Sequence, residues 1–188
     1  TKNMVSKITT IDPKFDNTVN SFKQAYLRNK SIYDKIAEKA GVPPELIAII
    51  HFRENTSDFL TGSFNSYLHN GEKLGKVTEK VPKGKYFTNF TEAAIDAFRD
   101  KQNFIEKYKL SSSSKDIVAM MSFAEVYNGL GYYNNERVSP YLYSGTNLYS
   151  SGKYVEERDS NGKYRSIYKS NVVDNQVGVY LLLHAMLK

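Results

Sequence analysis

Apolar positions along the chain fall into helical stretches separated by turn-rich segments. From Ser21 to Ala40, Phe22, Ala25, Tyr26, Ile32, Tyr33, Ile36 and Ala37 recur at the spacing of one helical face, and Gly41 ends the pattern. Pro43-Pro44-Glu45 reads as a new helix start, because proline fits a first turn and an acid suits its positive end. Leu46, Ile47, Ile49, Ile50 and Phe52 make this helix apolar on nearly every side, which predicts a central position, and it runs out at Arg53-Glu54-Asn55. Residues 1–20 lack a period and read as a lead-in arm.

The character changes between Phe64 and Phe90. Asn70-Gly71 and Pro82-Lys83-Gly84 are turn signals, with short β-leaning pieces at Val77–Val81 and Tyr86–Phe87, so the segment reads as a small irregular β lobe. Helical periodicity returns over Thr91–Tyr108 through Ala93, Ala94, Ile95, Ala97, Phe98, Phe104 and Ile105. Ser113 with Asp116 three positions later resembles a capping box and opens a helix through Val126. Residues 129–171 read as loop-rich and hold many tyrosines, and Gln176–Leu187 closes the chain as an apolar helix. The sum predicts an α+β fold, mostly α, with a helical core and one small irregular β lobe in a single domain spanning 1–188.

Composition narrows the chemistry. At 188 residues, 40% hydrophobic and 24% charged, the chain has the balance of a globular domain. It contains no cysteine, which excludes disulfides, thiol nucleophiles, iron–sulfur clusters and cysteine-bound zinc. No apolar run reaches the roughly 18–20 residues of a membrane span, and no signal peptide opens the chain, so no membrane insertion is expected. The start at Thr1 leads us to expect a piece of a longer protein. The net charge is +6, carried more by lysine than by arginine and scattered along the chain, whereas nucleic-acid binding favours a clustered basic face. A diffuse positive surface suits a polyanion such as a bacterial wall. Fifteen tyrosines, ten phenylalanines and no tryptophan supply flat amphipathic faces suited to sugar rings, or to finishing the edge of a core.

Two features carry candidate chemistry. Glu54 ends a nearly all-apolar helix, and a carboxyl held against a hydrophobic wall resists ionisation and can act as a general acid near neutral pH. The plain alternative is a surface glutamate paired with Arg53 or a lysine. The second feature is Glu125-Val126-Tyr127-Asn128-Gly129-Leu130-Gly131-Tyr132, where an apolar helix ends in Tyr-Asn and two glycines let the backbone approach a ligand or a neighbouring element. Its Gly-x-Gly follows a helix and so is no dinucleotide or phosphate-loop fingerprint. Three histidines, His51, His69 and His184, without a His-Glu-x-x-His spacing argue against zinc, and no Ser-His-Asp arrangement stands out; neither metal nor cofactor is expected.

Together these strings resemble the lysozyme superfamily, specifically goose-type lysozymes and lytic transglycosylases, over about residues 40–188. In that family a helix ends in the catalytic Glu, a small β lobe follows, and a later helix carries an Ala-Tyr-Asn-x-Gly motif. Here Glu54, residues 64–90 and Tyr127-Asn128-Gly129 are similar in order and spacing. Asn65-Ser66-Tyr67-Leu68-His69-Asn70-Gly71 and Ser139-Pro140-Tyr141-Leu142-Tyr143-Ser144-Gly145 look like strings of phage and bacterial lysozyme-like proteins. The chain departs from the pattern at Asn55, where the family has serine, and at Glu125, where it has alanine.

The resemblance implies cleavage of the β-1,4 bond between N-acetylmuramic acid and N-acetylglucosamine in peptidoglycan, with Glu54 as general acid. A hydrolase would want a second carboxylate, for which Asp58 and Glu72 are the candidates; a lytic transglycosylase would need Glu54 alone. His51, Tyr67, Asn70, Tyr127, Asn128, Gly131, Tyr132 and Tyr143 are the expected substrate contacts. The expected partner is the glycan strand, met by a monomeric domain that is extracellular or virion-associated and acts at the wall, as an endolysin or tail-associated lysin does, with host cytoplasm as a station before lysis. The competing expectation is a non-catalytic wall-binding or structural virion module on the same fold.

Overall fold

The computed structural model describes residues 1–188. A short helix α1 (Lys2–Val5) and a 3₁₀ turn (Pro13–Phe15) precede α2 (Asp16–Arg28) and α3 (Lys30–Ala40). The expected single helix over 21–40 is thus two. The chain bends at Asn29, whose N–H is shared between the Ala25 and Tyr26 carbonyls, and Gly41 ends α3 in a left-handed conformation. Residues 1–20 are more structured than a lead-in arm. Ile11 pairs with Thr146, Asn147 Oδ1 accepts from the Thr9 and Thr10 N–H groups, and Phe15 is buried. The hydrogen bonds among these tethers reach 138 and 137 residues along the chain, so no local period announces them.

Helix α4 (Pro44–Glu54) is the central element: every residue from Leu46 to Arg53 is buried. It packs against α2, α3, α5 (Thr56–Thr61) and the C-terminal helix. A cluster of 38 buried residues surrounds it and continues through α6 (Phe90–Arg99), α7 (Gln102–Lys107) and α8 (Ile117–Asn128). The periodic stretch 91–108 breaks at Asp100-Lys101 into α6 and α7. Helix α8 is capped by Asp116 itself, whose Oδ1 accepts from the Ala119 N–H at 3.2 Å, so the expected capping role of Ser113 falls to the aspartate. Short helices α9 (Gly131–Asn134) and α10 (Pro140–Tyr143) follow, and α11 (Val179–Met186) closes the fold. It begins later than Gln176: Gly178 is its N-cap residue in extended conformation, and lies so close to the Leu142 carbonyl and the Ser144 nitrogen that no Cβ fits there. No helix is long and apolar enough to cross a membrane.

The fold is α+β and mostly α, as its sequence predicts, but its regular sheet lies elsewhere. Residues 64–90 form no strand, only one bridge between Ser66 and Lys73. Side chains replace the ladder: the Tyr67 hydroxyl donates to the Lys76 carbonyl at 2.7 Å and accepts from the Phe87 N–H at 2.8 Å, and Thr78 Oγ1 bridges Pro82 and Lys85. The two-stranded antiparallel sheet is a hairpin of β1 (Lys153–Arg158) and β2 (Tyr164–Lys169), inside the segment expected to be loop-rich. Asp159 and the left-handed Gly162 make its turn, matching the Asn161-Gly162 turn signal.

Candidate functional site

Glu54 sits at the seam between α4 and α5. Asn55 breaks the helix, caps α5 by accepting from the Asp58 N–H at 3.1 Å, and donates through Nδ2 to the Gly71 carbonyl at 3.1 Å. The Asn70-Gly71 turn is thereby clamped onto the end of the catalytic candidate's helix. Gly71 has φ of +80°, and a Cβ there would strike the Glu54 carbonyl oxygen. Gly71→Ala is therefore expected to destabilise the fold by about 2 kcal/mol or more and to displace Glu54. A thermal melt checks this, and an unchanged melt would contradict that close approach.

The Glu54 side chain looks into a cleft of about 890 Å³. The end of α8 with Tyr127, Asn128 and Gly129, the lobe segment 79–83 with Asn70, and the hairpin with Tyr154, Glu156 and Tyr164 form its walls. A second hollow of about 470 Å³ extends it past Gly131, Tyr132 and Asn135, sharing Arg53, Asn128, Tyr141 and Glu156. Burial pushes the Glu54 carboxyl up to about 7, against the opposing pull of Arg53, a hydrogen bond from Tyr141 and the charge of Lys80, while Glu156 adds to the rise. The Tyr141 hydroxyl donates to Glu54 Oε1 at 3.3 Å. Losing that bond removes a force that favours the carboxylate, so Tyr141→Phe is expected to raise the Glu54 carboxyl further, read from its titration by NMR.

Arg53 anchors the floor. Its guanidinium donates to the Val177 carbonyl at 3.0 Å and to Asp174 at 2.9 Å, and it lies over the Tyr141 ring at 4.8 Å. Burial raises the Asp174 carboxyl, but Arg53, the Gln176 N–H and Lys153 outweigh it and hold the group below its ordinary value. This buried pair ties α4 to the loop before α11 and fixes Tyr141 against Glu54.

The structure brings together Glu54, Asn70, Tyr127, Asn128, Gly131 and Tyr132 around the two hollows. Tyr127 donates to the Leu68 carbonyl at 2.5 Å, and the Tyr132 hydroxyl accepts from the Tyr154 N–H at 2.8 Å. The other expected residues stand elsewhere. His51 is fully buried between Tyr33 and Asp58, with ring nitrogens 2.8 Å from the Tyr33 hydroxyl and 2.7 Å from Asp58 Oδ2. Asp58 also accepts from Ser66 and the Asn65 N–H, leaving no oxygen to serve a substrate. Glu72 spends both oxygens on the N–H groups of Glu79 and Lys80 and so shapes the cleft's lobe wall. Tyr67 is the buried pin of the lobe, and Tyr143 is buried in the core with its hydroxyl unpartnered. Asp58 and Glu72 thus fill scaffold positions, and neither is the second carboxylate that a hydrolase would want.

Several cleft groups stand beyond the expected set, among them Arg53, Lys80 and Glu156. Arg53 was signalled by its place beside Glu54; the hairpin residue Glu156 had no local signal. One cluster has the look of a cation site: ligand atoms of His69, Asp96 and Asp100 lie within 4.8 Å of one another. Lys85 Nζ already sits 2.8 Å from Asp96 and 2.9 Å from Asp100, supplying the positive charge there.

No family model, curated protein or solved structure matches this chain.

Proposed function

We propose that the protein is a glycosidase that cuts the β-1,4 bond between N-acetylmuramic acid and N-acetylglucosamine in peptidoglycan, with Glu54 as general acid. The observation that carries this reading is the Glu54 carboxyl, raised to about 7 on the floor of an open cleft. Near neutral pH a substantial fraction holds a proton, and a glycosidic oxygen laid beside it can receive that proton as the C1–O bond breaks. Tyrosine rings and amide side chains suit a sugar: Tyr132, Tyr154 and Tyr164 line the two hollows, while Asn70, Asn128 and Gln176 offer donors and acceptors for hydroxyl and acetamido groups. The net charge of +6 favours approach to an anionic wall. The resemblance in order and spacing to goose-type lysozymes and lytic transglycosylases supports the same substrate.

Digestion of purified peptidoglycan, wild type beside Glu54→Gln, tests the reading. Soluble muropeptides released by the wild type alone are the expected result. Binding of the sacculus by both proteins with cleavage by neither would favour the wall-binding module instead.

A further inference from the structure

The cleft holds several carboxylates besides Glu54, and their partners sort them. Asp174 is buried and locked by Arg53, Lys153 and the Gln176 N–H. Asp100 is bound to Lys85, and Glu79 is paired with Arg158 at the outer lip, both members more than half exposed. Asp58 and Glu72 line neither hollow, and their oxygens are taken by scaffold partners. Glu156 differs from all of these. It stands in the middle of β1, lines both hollows, and keeps about half of its side chain exposed. Its nearest cation, Lys80 at 3.2 Å, belongs to the opposite lobe wall, so the pair spans the cleft. Its neighbour Glu157 is instead tied to Lys169 across the hairpin and lies outside both hollows.

Resting on the glycosidase reading above, we infer that Glu156 is the second catalytic carboxylate, the general base that activates water, and that the reaction is hydrolysis. In this step Glu54 gives its proton to the glycosidic oxygen as the C1–O bond breaks. Water adds to C1 from the opposite side, and its proton passes to the Glu156 carboxylate. One water is consumed, and a proton returns from Glu156 to Glu54 through solvent to reset the pair. Glu54 and Glu156 both line the larger hollow, and a pair that works through a water between its carboxyls gives inversion at C1. The charge of Glu156 also adds to the rise in the Glu54 carboxyl, so the two groups sense each other across the cleft. Lys80 holds Glu156 in place by bridging hairpin and lobe.

The test uses the full chain on purified peptidoglycan, with products read by mass spectrometry. The wild type is expected to release muropeptides with free reducing ends. Glu156→Gln, which keeps volume, is expected to lower kcat by roughly 100-fold or more with KM little changed. Added azide, which needs no base, is expected to restore turnover as a glycosyl azide. Lys80→Gln breaks the same ion pair but spares the carboxylate, and is expected to lose clearly less rate than Glu156→Gln and to gain nothing from azide; Glu157→Gln, outside both hollows, is expected to behave as wild type. Melting curves of each variant report on folding. Three results would overturn the assignment: Glu156→Gln cleaving within a few-fold of wild type, equal losses in Glu156→Gln and Lys80→Gln, or wild-type products one water lighter that carry 1,6-anhydromuramic acid. Any of these would leave Glu54 as the acid and the glycosidase reading standing. Absence of cleavage by the wild type would bring down both.

Discussion

Glu54→Gln is expected to lower the rate of glycan cleavage by roughly 10²–10⁴-fold and, at the same time, to make the protein more stable above neutral pH. The first effect follows from removing the transferable proton while keeping shape and volume. The second follows from linkage. The Glu54 carboxyl titrates near 7 in the folded chain against 4.5 when free, so the folded state binds more protons between those values. Folding stability therefore declines as pH rises from about 4.5 to about 7, and the whole cost of holding a half-buried carboxylate is present above that window. Glutamine carries no such cost. The variant should gain up to about 3 kcal/mol over the wild type at pH 8, and that advantage should vanish at pH 4. Denaturant melts at the two pH values, beside the digestion assay, check both halves. A variant that cleaves like the wild type, or whose relative stability is the same at both pH values, would show that Glu54 is an ordinary surface glutamate.

That double signature is how a strained acid site differs from a scaffold residue, and the sequence carries part of it. Helix α4 was legible because its cues agree: proline in the first turn, apolar residues on every side, and a polar exit at Arg53-Glu54-Asn55. The end of α8 was legible for similar reasons, and Tyr127 and Asn128 do line the cleft. The groups that tune Glu54 were not. Tyr141 lies 87 residues away along the chain, and the Arg53–Asp174 pair joins positions 121 apart, separations at which no periodicity exists. The hairpin escaped for a different reason. Half of the residues of β1 and β2 are exposed and none is fully buried, so the strands lack the apolar alternation of a half-buried sheet, and only Asn161-Gly162 marks the hairpin. Conversely, 64–90 carries turn signals and β-leaning residues yet forms no sheet, because the Tyr67, Glu72 and Thr78 side chains bond the backbone that a neighbouring strand would otherwise pair. His51 and Asp58 are the instructive misplacements. Spacing one helical turn from Glu54 put His51 near the site, but α3 brings Tyr33 over that face and closes it.

Asp58 gives the second large effect, on stability. Burial favours its neutral form, but hydrogen bonds from His51, the Asn65 N–H and Ser66 outweigh this and hold its carboxyl below the usual range. Burial also lowers His51, against the pull of Asp58, so the ring is neutral near pH 7. An ionised Asp58 only accepts, so His51 Nε2 must carry the proton; Nδ1 then accepts from the Tyr33 hydroxyl. Asp58→Ala strands three buried donors at once and is expected to cost about 3–5 kcal/mol, lowering Tm on the order of 10 °C. Asp58→Asn should cost far less. Its amide oxygen still meets the Asn65 N–H, and the ring can take the other tautomer, with Tyr33 turning from donor to acceptor. The pH dependence has a definite sign: a depressed carboxyl stabilises above its free value of 3.8, and the contribution is lost as pH falls through the lower folded value. The wild type should therefore lose stability below pH 3.8 more steeply than Asp58→Asn. Cleavage by Asp58→Asn is expected to stay within a few-fold of wild type, because none of its contacts reaches the cleft. A well-folded Asp58→Asn that has lost 100-fold in rate would overturn this and return Asp58 to the chemistry.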